Sequence, residues 1–367
     1  MPSHNLFPGT VMGRPVPSRV GAGRLAGRLD LTLLAAFSAA VLGCSDDHPT
    51  QPDGSAQPSL AVASNSWTEK APMPVPGDIY GVSAGVAPNS AGQSILYTFG
   101  GTTSGDGTSG FLILAYNPAT NTWTKKASSV HAFYTNGVGR IGNRLYFAGG
   151  EDFGSGSRAA LNATYAYDPA SDRLIRQADM PKFTAEGVSG VINGKLYVLP
   201  GMCSGDGWPN PAYCETEPIR LFYRFNPTTN TWSTRRPAPR YHRHGAAGVI
   251  NNKFYVAGGF KGDQPVAALD IYDPATNSWT AGAPMPLPGF ARGTVLDGKL
   301  YVLAWTSTGL HTYVYSPATN TWTTKASPRF GHDDVAKVTV GTRSYLIAVS
   351  GGGTDPLATV HTEAYTP

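Results

Sequence analysis

The chain has 367 residues, long enough for a large core, with 44 Gly, 30 Pro and only 14% charged residues. That Gly and Pro load suits many short strands joined by tight turns and argues against a helical fold. The formal net charge is +4, but residues 1–43 hold four Arg and one Asp; residues 44–367 carry 24 Lys+Arg against 23 Asp+Glu, net +1, so no basic excess remains to attract nucleic acid.

The first segment reads as a targeting signal. Arg14, Arg19, Arg24 and Arg28 form a basic stretch, and Leu31 to Leu42 is an apolar run too short to span a bilayer comfortably. It leads into Val41-Leu42-Gly43-Cys44, which resembles a bacterial lipobox. In that motif small residues precede a Cys that is lipidated and becomes the first residue. Val in place of Leu three positions before Cys44 departs from the pattern, and an ordinary signal peptide cut near here is the competing reading. Met12 is an alternative start.

Residues 45–64 are rich in Asp, Pro, Ser and Gln without periodicity, as in a flexible tether. The expected organisation is a lipoprotein signal peptide over 1–43, a tether over 44–64 and a folded domain over 65–367. Lipid on Cys44 would hold the protein on a membrane surface of the cell envelope without spanning it. Ser45 lacks the Asp that favours inner-membrane retention, which leans towards the outer membrane, facing periplasm or cell surface. Cys203 and Cys214 then remain, in one Gly/Pro-rich stretch. In an oxidising exported setting they read as one disulfide bracing a long loop; two free thiols are the alternative.

From residue 65 onward the chain repeats itself. Tyr116-Asn117-Pro118-Ala119-Thr120-Asn121-Thr122-Trp123 recurs as Phe225 to Trp232, Tyr272 to Trp279 and Tyr315 to Trp322. A degraded copy runs from Tyr167 to Leu174, and a truncated one, Tyr365-Thr366-Pro367, ends the chain. One whole unit shows the layout. A strand at Gly245 to Ile250 and a turn at Asn251-Asn252 lead to a strand at Lys253 to Ala257, stopped by Gly258-Gly259. A third strand reaches Tyr272, Pro274 to Asn277 turn the chain, and Ser278-Trp279-Thr280 form a fourth. Four antiparallel strands per unit make one propeller blade.

The Gly-Gly after the second strand, the Tyr on the third and the Trp on the fourth resemble kelch repeats, across roughly Asn65 to Pro367. The resemblance implies an all-β, six-bladed propeller. Blade two lacks the Trp, blade three has Pro200-Gly201 and blade five Ala304-Trp305 where the pattern has Gly-Gly. The last blade lacks a fourth strand, while Asn65-Ser66-Trp67-Thr68 matches Asn277-Ser278-Trp279-Thr280. The N-terminal strand is therefore expected to complete blade six and close the ring. Trp67, Trp123, Trp232, Trp279 and Trp322 are assigned to the scaffold.

Function has to come from residues the scaffold does not use. Trp208 and Trp305 are off pattern, and both are expected on loops between second and third strands, on the face that also carries the loops into each first strand. Those loops are polar in a regular way. Before the first-strand Gly stand Tyr80, Asn136, Glu186, His244 and Arg292, with Asp334 in the corresponding place of blade six. His131, His242 and His332 lie nearby, with Asp78, Tyr134, Tyr241, Arg243 and Asp333.

A ring of this kind suits ligand binding. Tyr80, Asn136, Arg243, Asp334, Trp208 and Trp305 are the candidate ligand-binding residues, the aromatics by stacking on a sugar and Arg by clamping a carboxylate. Glu186, His244 and Arg292 are the candidate catalytic residues, as acid, base and cationic clamp. The plainer reading is scaffold, since Pro239-Arg240 with His244 and Pro328-Arg329 with His332 fit a pattern common in kelch-like repeats. No metal or cofactor is expected. The His come from separate blades without ligand spacing, a copper-radical site would need a free Cys, and the Ser-Gly-Asp-Gly loops at 104–107 and 204–207 offer too few oxygens for calcium.

Two functions follow. The first is a membrane-tethered interaction module for a glycan or protein ligand at the loop-rich face. The second is an enzyme acting on carbohydrate, because some exported six-bladed kelch-like proteins resemble this chain in layout and are sialic-acid mutarotases. Convergence of Glu186 and Arg292 on one small cavity would favour the second.

Overall fold

The computed structural model describes residues 64–75, 79–103, 112–129, 134–152, 159–203, 220–350 and 360–367. Every regular element among them is a β-strand, and none of them is a helix long and apolar enough to cross a membrane. Six four-stranded antiparallel sheets are the six blades.

Blades one to five each run in sequence order from the inside outwards. Blade one is Ser83–Pro88, Ser94–Phe99, Leu112–Asn117 and Thr122–Ser129. Blade two is Val138–Ile141, Arg144–Ala148, Thr164–Asp168 and Arg173–Gln177. Blade three is Val188–Ile192, Lys195–Leu199, Phe222–Asn226 and Thr231–Arg235. Blade four is Ala246–Ile250, Lys253–Ala257, Leu269–Asp273 and Ser278–Gly282. Blade five is Gly289–Leu296, Lys299–Thr306, Gly309–Ser316 and Thr321–Lys325.

Blade six has Asp334–Val340, Arg343–Val349 and Thr362–Thr366 from the C-terminal end, and its outermost strand is Ser66–Glu69 from the other end of the domain. Trp67 pairs with Tyr365, so the ring closes as the sequence predicts. Closure leaves no long inner sheet edge open.

The repeated phrase works as a latch between blades. Its Asn sits in the left-handed region, which Asn tolerates, at φ 54° for Asn121, 49° for Asn277 and 54° for Asn320. There Oδ1 accepts two hydrogen bonds. For Asn277 the donors are Tyr272 O–H at 2.7 Å, in its own blade, and Arg236 N–H at 3.1 Å, just past blade three. The phrase Trp packs on its Tyr or Phe at 5.0–5.2 Å in five blades. Its Nε1–H donates to a carbonyl of the preceding blade at 2.7–2.9 Å. Blade two lacks the Trp, and its turn residue Asp172 does what Asn does elsewhere, accepting Tyr167 O–H and Ala127 N–H. Tyr116, Tyr167, Tyr272, Tyr315 and Tyr365 are fully buried, and each aromatic of this size removes about 150–250 Å² from water.

The Gly pairs have a local cause. Gly258 and Gly259 have φ 67° and 90°, which turn the chain out of the blade, and a Cβ on Gly259 would run into the carbonyl oxygen of Arg243. Blade five departs here. Ala304 and Trp305 stay in the strand, which continues to Thr306 and returns from Gly309, so no left-handed pair is needed.

The connections fall on two faces. Turns between first and second strands, and between third and fourth, make a turn face. The second-to-third and fourth-to-first connections make a loop face, built up by short ladders such as Thr184–Ala185 with Met202–Cys203.

Candidate functional site

The innermost strands line a central channel of about 300 Å³. At its loop-face mouth the backbone forms a belt from blade to blade. Tyr134 N–H donates to Gly81 O at 2.8 Å, Glu186 N–H to Tyr134 O at 2.9 Å, His244 N–H to Glu186 O at 2.8 Å and Ala291 N–H to His244 O at 2.9 Å. Side chains complete the circuit. Arg292 Nε–H donates to Asp333 O, and Asp333 Oδ2 accepts Gly81 N–H at 2.7 Å.

To make this belt Tyr134, Glu186 and His244 take φ 47°, 57° and 55°. Non-Gly residues of these types rarely do so, and the cost is of order 1–3 kcal/mol each. The other left-handed residues are mostly Asn and Asp in turns. Strain is thus concentrated at the mouth, at the residues whose side chains surround it.

Glu186, Arg292 and Asp334 line the channel together with Tyr134. His244 bridges two of them, with Nε2 3.2 Å from Glu186 Oε2 and Nδ1 3.3 Å from Arg292 Nη2. A guanidinium only donates and a carboxylate only accepts. Those partners fix one neutral tautomer, with the proton on Nε2. The electrostatics agree. Burial pushes the His244 pKa down, Glu186 pulls it back, and Arg292 and Arg243 push it down further, for a net lowering.

Arg292 is clamped from several sides. It donates to Asp333 O, to Ala291 O at 3.1 Å and to His244, and lies 4.2 Å from the centre of the Phe290 ring. These contacts use three of its five N–H donors. Arg243 reaches Glu186 Oε2 at 3.4 Å through Nη1 and Asp263 at 3.8 Å through Nη2.

Asp334 lies half-buried beside them, its Oδ2 accepting Ala84 N–H at 2.7 Å. Burial pushes its carboxyl pKa up to about 6, against the pull of Arg292. A carboxyl whose pKa is higher folded than unfolded binds its proton more tightly in the fold. Its contribution is therefore fully present below the unfolded value of 3.8 and is lost as pH rises to about 6. In a pH series of urea unfolding, Asp334→Asn should lack that decline. An unchanged profile would show that Asp334 is not the group responsible.

Sequence reasoning treated six residues as equivalent, and the strand ladders separate them. Arg292 and Asp334 stand opposite Leu303 and Val349 inside first strands, whereas Glu186 and His244 precede theirs by two residues. Asn136 is fully buried and its amide is occupied, donating to Ala148 O, Thr184 O and Thr184 Oγ1 and accepting Gly187 N–H. It braces blade two against blade three. Tyr80 lies in a short ladder with Thr102, outside the channel lining. Trp305 is in a strand rather than a loop, with its ring on Gly331 and Phe290. Trp208, His131, Asp78, Cys44 and Cys214 lie outside the described residues, and of Cys203 only the backbone is described.

His242 and His332 are scaffold. Both are buried; His242 faces Gly258 O and Asp270, and His332 faces Ser350 O and Glu363. No group of three or more metal-ligating side chains occurs among the described residues. The sequence missed Asp270, Phe290 and Gly331. The first reads as an ordinary polar residue in a strand, and the other two acquire meaning only through contacts distant in sequence.

The Kelch motif family matches residues 186–238 and 242–286, starting at two of the mouth segments. The mouse Kelch-like protein 35 is 30% identical over 184 residues, covering 50% of this chain and 29% of that protein. The human Kelch-like protein 23 is 27% identical over 255 residues, 68% of this chain and 41% of that protein. Kelch-like protein terF of Aspergillus terreus is 27% identical over 211 residues, 54% of this chain and 43% of that protein. The chain thus spans less than half the length of these relatives. The solved structure of YjhT superposes with a TM-score of 0.60 at 16% identity, covering 80% of this chain and 95% of that one, which is a likeness of fold. A scaffold of this kind points to an interaction module. With kelch motifs in the sequence, kelch-like relatives and six four-stranded blades in a closed ring, the chain is a kelch-repeat β-propeller.

Proposed function

We propose that the protein is an exported binding module, held on a membrane of the cell envelope by lipid on Cys44, that takes an acidic glycan at the loop-face mouth of its channel. The observation that supports this reading is that Glu186 and Arg292 both line the channel of about 300 Å³, with His244 in contact with both and Arg243 in contact with Glu186. Two guanidiniums match a ligand carboxylate, and the Phe290 ring, itself packed on Trp305, backs one of them, Arg292. A protein bearing an acidic side chain in a projecting loop is the other partner this chemistry fits.

The test is a thermal-shift series with acidic and neutral sugars. A ligand at about 100 times its dissociation constant stabilises by roughly 2.7 kcal/mol. The expected result is a shift with acidic sugars only, abolished by Arg292→Ala. No shift with any sugar would leave the protein partner as the reading to pursue by pull-down.

A second reading is favoured by the His244 geometry. A neutral imidazole held in one tautomer between a carboxylate and a guanidinium is an acid–base group, and exchange between sugar anomers needs little more than that. On this reading Glu186→Gln lowers the exchange rate of an acidic sugar by about 10²–10⁴ and moves KM less. Equal rates for Glu186→Gln and the parent protein would exclude it.

A further inference from the structure

Among the described residues, cations outnumber acids on the turn face of the propeller. The first residue of the second strand is Arg144, Lys195, Lys253, Lys299 and Arg343 in blades two to six, and Ser94 in blade one. Their place at the first-to-second turn puts all five cations on the turn face. Arg140 and Lys337 add to them from inside the channel. They stand opposite Leu145 and Leu346, at a level where the other four blades have Val, and both are exposed.

The acids on this face are fewer, namely Asp168, Asp172, Asp273 and Asp297. Asp168 pairs with Arg144 at 3.2 Å, and Asp273 with Lys253 at 3.0 Å. On the loop face, acids and bases pair across the mouth and inside the blades, as Arg243 does with Glu186 and Arg240 with Asp270.

A second observation concerns where the chain enters. Asn65 has φ 55°, and its Oδ1 accepts Tyr365 O–H and Ala326 N–H, both at 3.0 Å. It therefore occupies the turn position that Asn121, Asn277 and Asn320 hold in their blades, on the turn face. Cys44 lies 21 positions upstream, and even an extended chain of that length spans only about 70 Å.

We propose that the turn face is a docking surface for an anionic lipid bilayer, on which the propeller lies flat with the Glu186–His244–Arg292 mouth turned away. Clustered Lys and Arg near a membrane surface are attracted by acidic head groups within about one Debye length. The charge of the face is independent of acylation; the proposal rests on the membrane-anchor reading only for holding the face within reach. Presenting the mouth outward places its ligand in solution or on an opposing surface, rather than in the supporting leaflet.

The test is lysine acetylation read by mass spectrometry, with the full chain on vesicles of phosphatidylcholine alone or with one third phosphatidylglycerol. Lys195, Lys253 and Lys299 report the turn face, and the exposed Lys182 and Lys261 report the loop face. The expected result is several-fold protection of the first three on anionic vesicles, absent on neutral ones and lost at about 1 M salt, where screening acts within about 3 Å. Equal labelling of both faces on anionic vesicles overturns the proposal, even when the chain sediments with them. The Cys44→Ser chain separates the two ideas. Weaker sedimentation with the same lysine pattern keeps the docking face and confirms the anchor. Unchanged sedimentation with that pattern keeps the face and removes the lipid.

Discussion

Asp270→Ala is expected to lower the unfolding free energy by about 3–5 kcal/mol, the range for removing one partner of a buried ion pair. Asp270 is fully buried in the third strand of blade four. His242 Nε2 lies 3.0 Å from its Oδ2, and Arg240 reaches it through Nε at 3.0 Å and through Nη2. Burial pushes this carboxyl up, but hydrogen bonds from His242 and Arg240 outweigh it, so the pKa is lowered. Without the carboxylate, a buried imidazole and the foot of a guanidinium lose their acceptor. The linkage sign follows. A carboxyl depressed in the fold adds stability above its unfolded value of 3.8, and that stability is lost as pH falls through the lower folded value. The urea midpoint of Asp270→Ala should therefore approach that of the parent in strong acid. A loss under about 1 kcal/mol at neutral pH would place the triad with exposed ion pairs, which contribute little. Glu363 holds the same place in blade six, accepting His332 at 2.8 Å and the Arg329 and Phe330 N–H groups at 3.1 Å.

Trp67→Ala is expected to cost about 3 kcal/mol, the lower end for deleting a large aromatic, because the side chain is only half-buried. Its effect should also be local in a way that Trp123→Ala is not. Trp67 packs on Tyr365 at 5.2 Å and donates to Ala326 O at 2.7 Å, so one side chain ties the N-terminal strand to blades five and six. Once that strand is loosened, the edge at Thr362–Thr366 is exposed. Amide exchange should then rise there before it rises elsewhere, and Trp67→Phe, which keeps the packing, should lose about 1 kcal/mol. Uniform exchange across all blades in Trp67→Ala would show that the ring does not depend on this closure.

The fold was legible because its determinants are local and repeated. A Tyr, a turn Asn and a Trp recur at fixed spacing, and each copy makes the same two or three contacts. The matching phrase at Asn65 even foretold which strand closes blade six. The site was legible by composition and not by register. Counting back from a Gly placed Tyr80 and Asn136 beside Glu186 and His244. Yet Asn136 precedes its first strand by two residues just as Glu186 and His244 do, so position along the chain does not tell a side chain at the channel from one that braces a blade; its partners in the next blade decide. Asn136 shows the outcome: it is polar, at a blade entrance, and wholly used by Thr184, Ala148 and Gly187. The left-handed backbone at Tyr134, Glu186 and His244 was invisible for a related reason. Tyr and Glu rarely adopt that conformation and His does so only somewhat more often, so it is imposed by hydrogen bonds to the neighbouring blade.

The belt at the mouth has a consequence for how such a protein can change. From Gly81 to Ala291 its links are main-chain N–H and C=O groups, indifferent to which side chains the residues carry. Positions 134, 186 and 244 are therefore sockets that can take other residues while the frame keeps its shape, provided the newcomer keeps its N–H and tolerates the left-handed backbone. Asp333 is the exception, because its own carboxylate receives Gly81 and Val82 N–H and Ser350 O–H. Variation in ligand preference should accumulate at the sockets, and the keystone at 333 should stay fixed.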